Sequence, residues 1–141
     1  MKEKLTIEEK LMALLSHISV LIPNIGIMAP IMIWITQKDK SQFTRFNALQ
    51  AIFFQLVFLA LIMISVIIGM ILMFVSLPGI ISSPNDVPGA LFWVSMGVMN
   101  LYLPLGVIFS IVGIVASVKS FKGRIFKYAI IGRIIKSKVY K

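Results

Sequence analysis

Six polar side chains stand inside long apolar stretches of this chain: His17, Asn24, Asn47, Gln50, Gln55 and Asn100. An imidazole titrates near neutral pH and can carry or sense a proton, whereas amides donate and accept hydrogen bonds without titrating. No carboxylate stands beside His17 in the apolar sequence to act as its acid or base partner, and there is one histidine and no cysteine in the chain. Paired acid–base catalysis, a thiolate nucleophile and a zinc site built on histidine and cysteine therefore lack their residues. No glycine-rich phosphate loop is present either. The expectation is a protein that is not an enzyme and holds no cofactor. For His17 the simplest use is a satisfied hydrogen bond between helices, and proton sensing is the sharper alternative.

Asn47 and Gln50 are three residues apart and share a helical face, while Gln55 sits well round the helix from Gln50. Arg45 ends the basic connector just before them. The expected binding surface is this corner of Arg45, Asn47 and Gln50, facing a partner helix or lipid headgroups, with His17 behind it. The competing reading is that Arg45 anchors to headgroups while the amides bond to a neighbouring helix. Small residues form a second pattern. Gly106, Ser110, Gly113 and Ser117 recur at spacings of four, three and four, and Ser65, Gly69 and Ser76 form a looser stripe earlier. In lipid, helices associate by close packing of small residues, so these stripes are expected to face each other; a polar pore lining is the alternative.

The elements that must carry these residues follow from composition. Of the 141 residues, 59% are hydrophobic and 13% charged, against about a quarter charged in a soluble domain, so an ordinary cytosolic globule is excluded. Three apolar blocks cover 11–36, 46–77 and 90–118. The second would run roughly 48 Å as a helix and exceeds a hydrocarbon core of about 30 Å, so it tilts or starts at the interface. The first is interrupted at Pro23, Asn24, Ile25 and Gly26, a turn-forming cluster that leaves pieces of roughly 24 Å and 17 Å. Either one kinked crossing or a hairpin of short helices accommodates it. A signal peptide does not, because the run is too long and Glu3, Glu8 and Glu9 stand in its head. Thr6 to Glu9 has capping-box spacing, so the first helix begins near Ile7.

Charge orders the topology. Basic residues occupy 37–45 and the tail, which carries eight from Lys119 on, and none lies in 78–89. By the positive-inside rule the basic segments are cytoplasmic, and the hairpin alone also brings Lys2, Lys4 and Lys10 to that side. The expected architecture is all-α and polytopic: helices near 7–22, 27–37, 46–77 and 90–118 in one domain, with an interfacial tail over 119–141 and both termini cytoplasmic in the cell membrane. The net charge of +9 then faces anionic lipid headgroups; nucleic acid is not expected.

These residues carry a resemblance. Thr44 to Ala51 resembles the arginine-phenylalanine-asparagine-alanine-x-glutamine-alanine motif of the twenty-kilodalton subunit of the chloroplast inner-envelope protein translocon. Ser16-His17-Ile18, Ala29-Pro30 through Trp34 to Lys38-Asp39, and Gly123 to Arg133 resemble motifs of its bacterial and archaeal relatives. Ala29, Gln42, Asn47 and Ala129 depart from that pattern. The resemblance implies four helices with cytoplasmic termini and a membrane subunit or scaffold connected with protein translocation or insertion. Other membrane proteins or further copies of the chain are the expected partners, and an oligomeric channel or transporter is the alternative function.

Overall fold

The computed structural model describes residues 5–22, 25–37, 39–82, 87–128, 131, 132, 135 and 139. They form helices and connecting turns, with no strand among them. Helix α1 (Ile7–Ile18) opens on the expected capping box: the Thr6 hydroxyl accepts from the Glu9 amide at 3.2 Å, and the Glu9 carboxylate accepts from the Thr6 amide at 2.7 Å. Glu8 and Glu9 also set negative charge at the positive end of the helix dipole. A 3-10 turn, Ser19–Leu21, ends the element.

The chain then folds back. Gly26 lies so close to the end of α1 that a Cβ there would collide with the carbonyl oxygens of Ser19 and Ile22, so only glycine fits the turn. Helix α2 (Met28–Gln37) returns along α1. Thr6, Glu8, Glu9 and Met12 of the first element line one cavity, of about 240 Å³, with Gln37, Lys40 and Ser41 beyond the second. The start of α1 and the end of α2 thus share a level, which is the hairpin and not the single kinked crossing.

Helix α3 (Gln42–Ser82) is 41 residues long, longer than the expected 46–77 at both ends. Ser41 caps its start by accepting from the Thr44 amide at 3.3 Å. Near the far end Pro78 stands inside the helix. The Ser82 hydroxyl bonds back to the Pro78 carbonyl at 2.8 Å, satisfying a group in the last turn.

The expected helix over 90–118 is instead two, α4 (Ala90–Met99) and α5 (Tyr102–Phe121), joined by a turn at Asn100 and Leu101. Proline at 104 has no N–H, so the regular ladder cannot continue through it; the Leu103 amide donates to the Asn100 carbonyl and the Asn100 side chain donates to the Met96 carbonyl at 2.8 Å. At the other end α5 closes in a Schellman motif. Gly123 has φ +69, its amide donates to Ser120, and the Arg124 amide donates to Lys119.

The chain packs as two compact units, Met1–Val57 with Ile108–Lys141, and Phe58–Val107. In the first, small side chains such as Ala13, Ala48, Ala51 and Ala116 are buried and let the helices approach closely. The tail is more than an interfacial segment: Ile135 and Val139 bury against Phe46, with Ile131 and Leu49 beside them. These tail residues recur every four, so one face of the segment turns to α3. In the second unit Gly69 packs on α4, where a Cβ would strike Met99 and lie 3.1 Å from the Ser95 carbonyl.

Candidate functional site

The first unit is built round a hydrogen-bonded chain of buried polar side chains. Its orientation can be read from one pure acceptor. The Asn47 amide nitrogen donates to the Phe43 carbonyl at 2.8 Å, so the Asn47 oxygen must point the other way. That oxygen accepts from the Ser120 hydroxyl at 2.8 Å and lies 3.0 Å from His17 Nε2. Nε2 therefore carries the ring proton and donates. His17 Nδ1, left as the acceptor, faces the Tyr128 hydroxyl at 3.0 Å. Donors and acceptors alternate without a mismatch in the neutral Nε2–H tautomer, an assignment that rests on the partners.

Gln50 binds backbone as a neighbouring strand would. Its amide nitrogen donates to the Phe126 carbonyl at 2.8 Å and its oxygen accepts from the Tyr128 amide at 3.1 Å. One side chain thereby pins two alternate positions of the irregular segment after α5. Tyr128 stacks on Phe54 at 4.3 Å between ring centres, Phe54 stacks on Phe109 at 4.5 Å, and Phe126 meets Tyr128 edge to face. A third strand of the network runs from Gln55, which donates to Ser19 Oγ at 3.0 Å; that hydroxyl donates to the Ser16 carbonyl. Gly132 is required here, since a Cβ would press on the Gln50 oxygen and the backbone of Lys127.

The network separates residues that the sequence grouped. Asn47 and Gln50 are fully buried and bonded within the chain, and so are His17 and Gln55 nearly so. Arg45 is half-buried and stands apart from them in chemistry: its Nε is buried with no hydrogen-bond partner. Asn100 is exposed on the α4–α5 turn, and Asn24 lies outside the described residues. The small residues do not share one neighbour. Gly113 closes on the end of α1 and the 3-10 turn after it, where a Cβ would strike Val20 and sit 3.2 Å from the His17 carbonyl; Gly106 has only the Phe58 ring, at 3.9 Å. Ser65 and Ser117 turn their hydroxyls to their own helices, at Ile62 and Ile114, and Ser110 is half-buried. A small-residue stripe permits close approach without naming the helix that approaches.

Ser120 and Tyr128 were not among the expected site residues. The signal for Tyr128 was the alternation of Phe126 and Tyr128 with Lys127 behind a glycine, a short apolar-in, basic-out pattern; no local pattern marked Ser120. At the same end of the unit the Ser41 hydroxyl, and then Thr6, hold the Glu9 carboxyl below its ordinary range against the opposing effect of partial burial. Lys119 Nζ lies 5.1 Å over the Phe126 ring. Among the described residues no three histidine, cysteine, aspartate or glutamate side chains gather as a metal site would require. The arrangement holds one segment of the chain to another through uncharged, matched pairs.

No curated protein and no solved structure matches this chain. The family model that does match overturns the resemblance to the chloroplast translocon subunit. Short motifs in a chain whose composition lipid dictates are a weaker discriminator than a pattern running through almost all of it. Residues 8–135 match the model described as the magnetosome magnetite crystal formation protein family, and the chain belongs to that family.

Proposed function

We propose that this protein is a polytopic membrane protein without catalytic chemistry that serves as a subunit or scaffold of a larger membrane assembly. The observation that carries the reading is its apolar exterior. Two helical stretches, Gln42–Ser82 and Ala90–Phe121, are long and apolar enough to span a bilayer, and only 11% and 17% of their most apolar windows are buried inside the protein. A core helix of a soluble protein buries that surface; here Ile64, Ile71, Phe74, Val107 and Ile111 face outward. The family's description, formation of magnetite crystals in magnetosomes, names one process in which such a membrane scaffold would act.

Polarity supports an orientation. Ser120 at the end of α5 bonds to Asn47 near the start of α3, and the Lys10 side chain lies by Gly123, so the basic residues Lys10, Lys40, Lys119, Lys122 and Arg124 collect at one end of the first unit. The positive-inside rule makes that end cytoplasmic, with both termini on it and anionic headgroups within reach. The protein should stay in membranes washed with alkaline carbonate and should crosslink to other membrane proteins in native membranes. Release by the wash sinks the membrane reading. A homo-oligomer that crosslinks to nothing else and passes ions in liposomes would replace the scaffold with a channel.

A further inference from the structure

The residues across the α4–α5 break, Asn100 to Pro104, are exposed one after another. A helix packed along a neighbour turns some residue inward in every turn. Here the chain covers none of them, and Leu101, Tyr102 and Leu103 are 44%, 46% and 56% exposed.

The break also lies at hydrocarbon depth. As a helix the apolar run 90–118 would be roughly 43 Å long, against a hydrocarbon core of about 30 Å, so at most roughly 13 Å of it can stand outside the core at either end. Asn100 follows the last residue of α4, which starts at Ala90, and so stands roughly 15 Å into the run and farther still from its other end. Wherever the core falls on the run, the break is inside it. Non-helical backbone at that depth is tolerated only where protein covers it or where it lines a water-filled cavity. Successive exposed residues form an outward surface and not a cavity wall, so the cover comes from another chain.

The chemistry of the break selects that chain. The Asn100 amide nitrogen donates to the Met96 carbonyl at 2.8 Å, and a primary amide carries a second N–H and an acceptor oxygen besides. A donor and an acceptor in one group complement the same group turned about a two-fold axis, so two copies meeting there exchange a reciprocal pair of N–H···O bonds. Leu101 and Leu103 flank the amide with uncharged surface that its own like can cover without burying a charge.

We infer that a second copy of this chain covers the break, with the two Asn100 amides hydrogen-bonded to each other across a two-fold axis inside the membrane. The inference rests on the membrane reading above and names one partner of that subunit, which is the subunit itself.

The full chain has no cysteine, so single introduced cysteines report contacts directly. In native membranes washed with alkaline carbonate, Leu101→Cys should crosslink to a second copy on oxidation. Ile67→Cys should not: it is as exposed, but stands two residues from Gly69, which packs on α4, and therefore on the other side of α3. In phosphatidylcholine vesicles, energy transfer between labelled copies on dilution with lipid measures how tightly they associate. Asn100→Leu should weaken the association about 10-fold, as loss of two hydrogen bonds between helices implies. Asn100→Gln, which keeps the amide on a longer arm, should weaken it less, and Tyr102→Phe should change it less than about twofold. The crosslink leaves Asn100 in place, so it decides the matter even if Asn100→Leu does not fold. A chain that stays in the washed membrane but shows no copy-to-copy crosslink at position 101, or crosslinks there only to a different protein, overturns the inference and leaves the membrane reading standing. Association equal in the native chain and in Asn100→Leu overturns the amide pair. Release by the wash fails the membrane reading first.

Discussion

At the scale of single residues, the consequential atom is the Asn47 side-chain oxygen, which serves His17 and Ser120 together. Replacing Asn47 by Leu leaves two buried donors unpaired, whereas Tyr128→Phe removes one donor and leaves His17 Nδ1 unpaired. Each orphaned group costs about 1–3 kcal/mol. Thermal unfolding in detergent should therefore order the proteins as wild type, Tyr128→Phe, Asn47→Leu, from most to least stable. Amide exchange in Tyr128→Phe should rise first over 124–128, the segment Gln50 pins. A Tyr128→Phe protein less stable than Asn47→Leu would mean that the number of buried groups left unpaired does not set the order, since phenylalanine keeps the stacking on Phe54.

At the scale of elements, glycines sort by what stands opposite them. A Cβ at Gly113 meets Val20 and the His17 carbonyl; one at Gly97 meets nothing within 4 Å. Gly113→Leu should push α5 off α1, strain the Ser120–Asn47 bond and lower the unfolding midpoint strongly, because overpacking a tight contact costs about 1–3 kcal/mol or more. Gly97→Leu should be tolerated or mildly stabilising, since leucine is the better helix former by somewhat under 1 kcal/mol. Equal losses at the two positions would remove the close helix contact from the account.

At the scale of the whole molecule, the N-terminal hairpin and the return of α5 to the start of α3 bring Lys10, Lys40, Lys119, Lys122 and Arg124 to one end of the first unit, and the proposed orientation extends this to the remaining basic residues. Cysteines replacing Lys2, Lys40 and Lys122 should react with an impermeant reagent from the same side of the membrane, and one replacing Val87 from the other. Labelling of position 2 together with position 87 would require a single kinked first crossing.

How much of this could be read from the amino-acid order depends on range. Apolar run length, the Thr6–Glu9 box, the turn at Gly26 and the placement of lysines and arginines are local or additive properties, so the all-α class and the helical segments were legible from them. The break at Asn100 was less so, because Pro104 stands inside an unbroken apolar run and proline can kink such a helix or end it. The tertiary structure alone decided who meets whom. Asn47 and Gln50 read as a binding face because they share a helical side near a basic connector. Their partners lie 73 residues on at Ser120 and 78 residues on at Tyr128, and no spacing rule reaches that far. Small-residue stripes likewise announce close packing but are indifferent to which helix arrives, so only the folded chain could send Gly113 to α1 and Gly69 to α4. Lipid imposes the apolar pattern on sequence directly, residue by residue, whereas a hydrogen-bonded network is a property of pairs and exists only once folding has brought both members together.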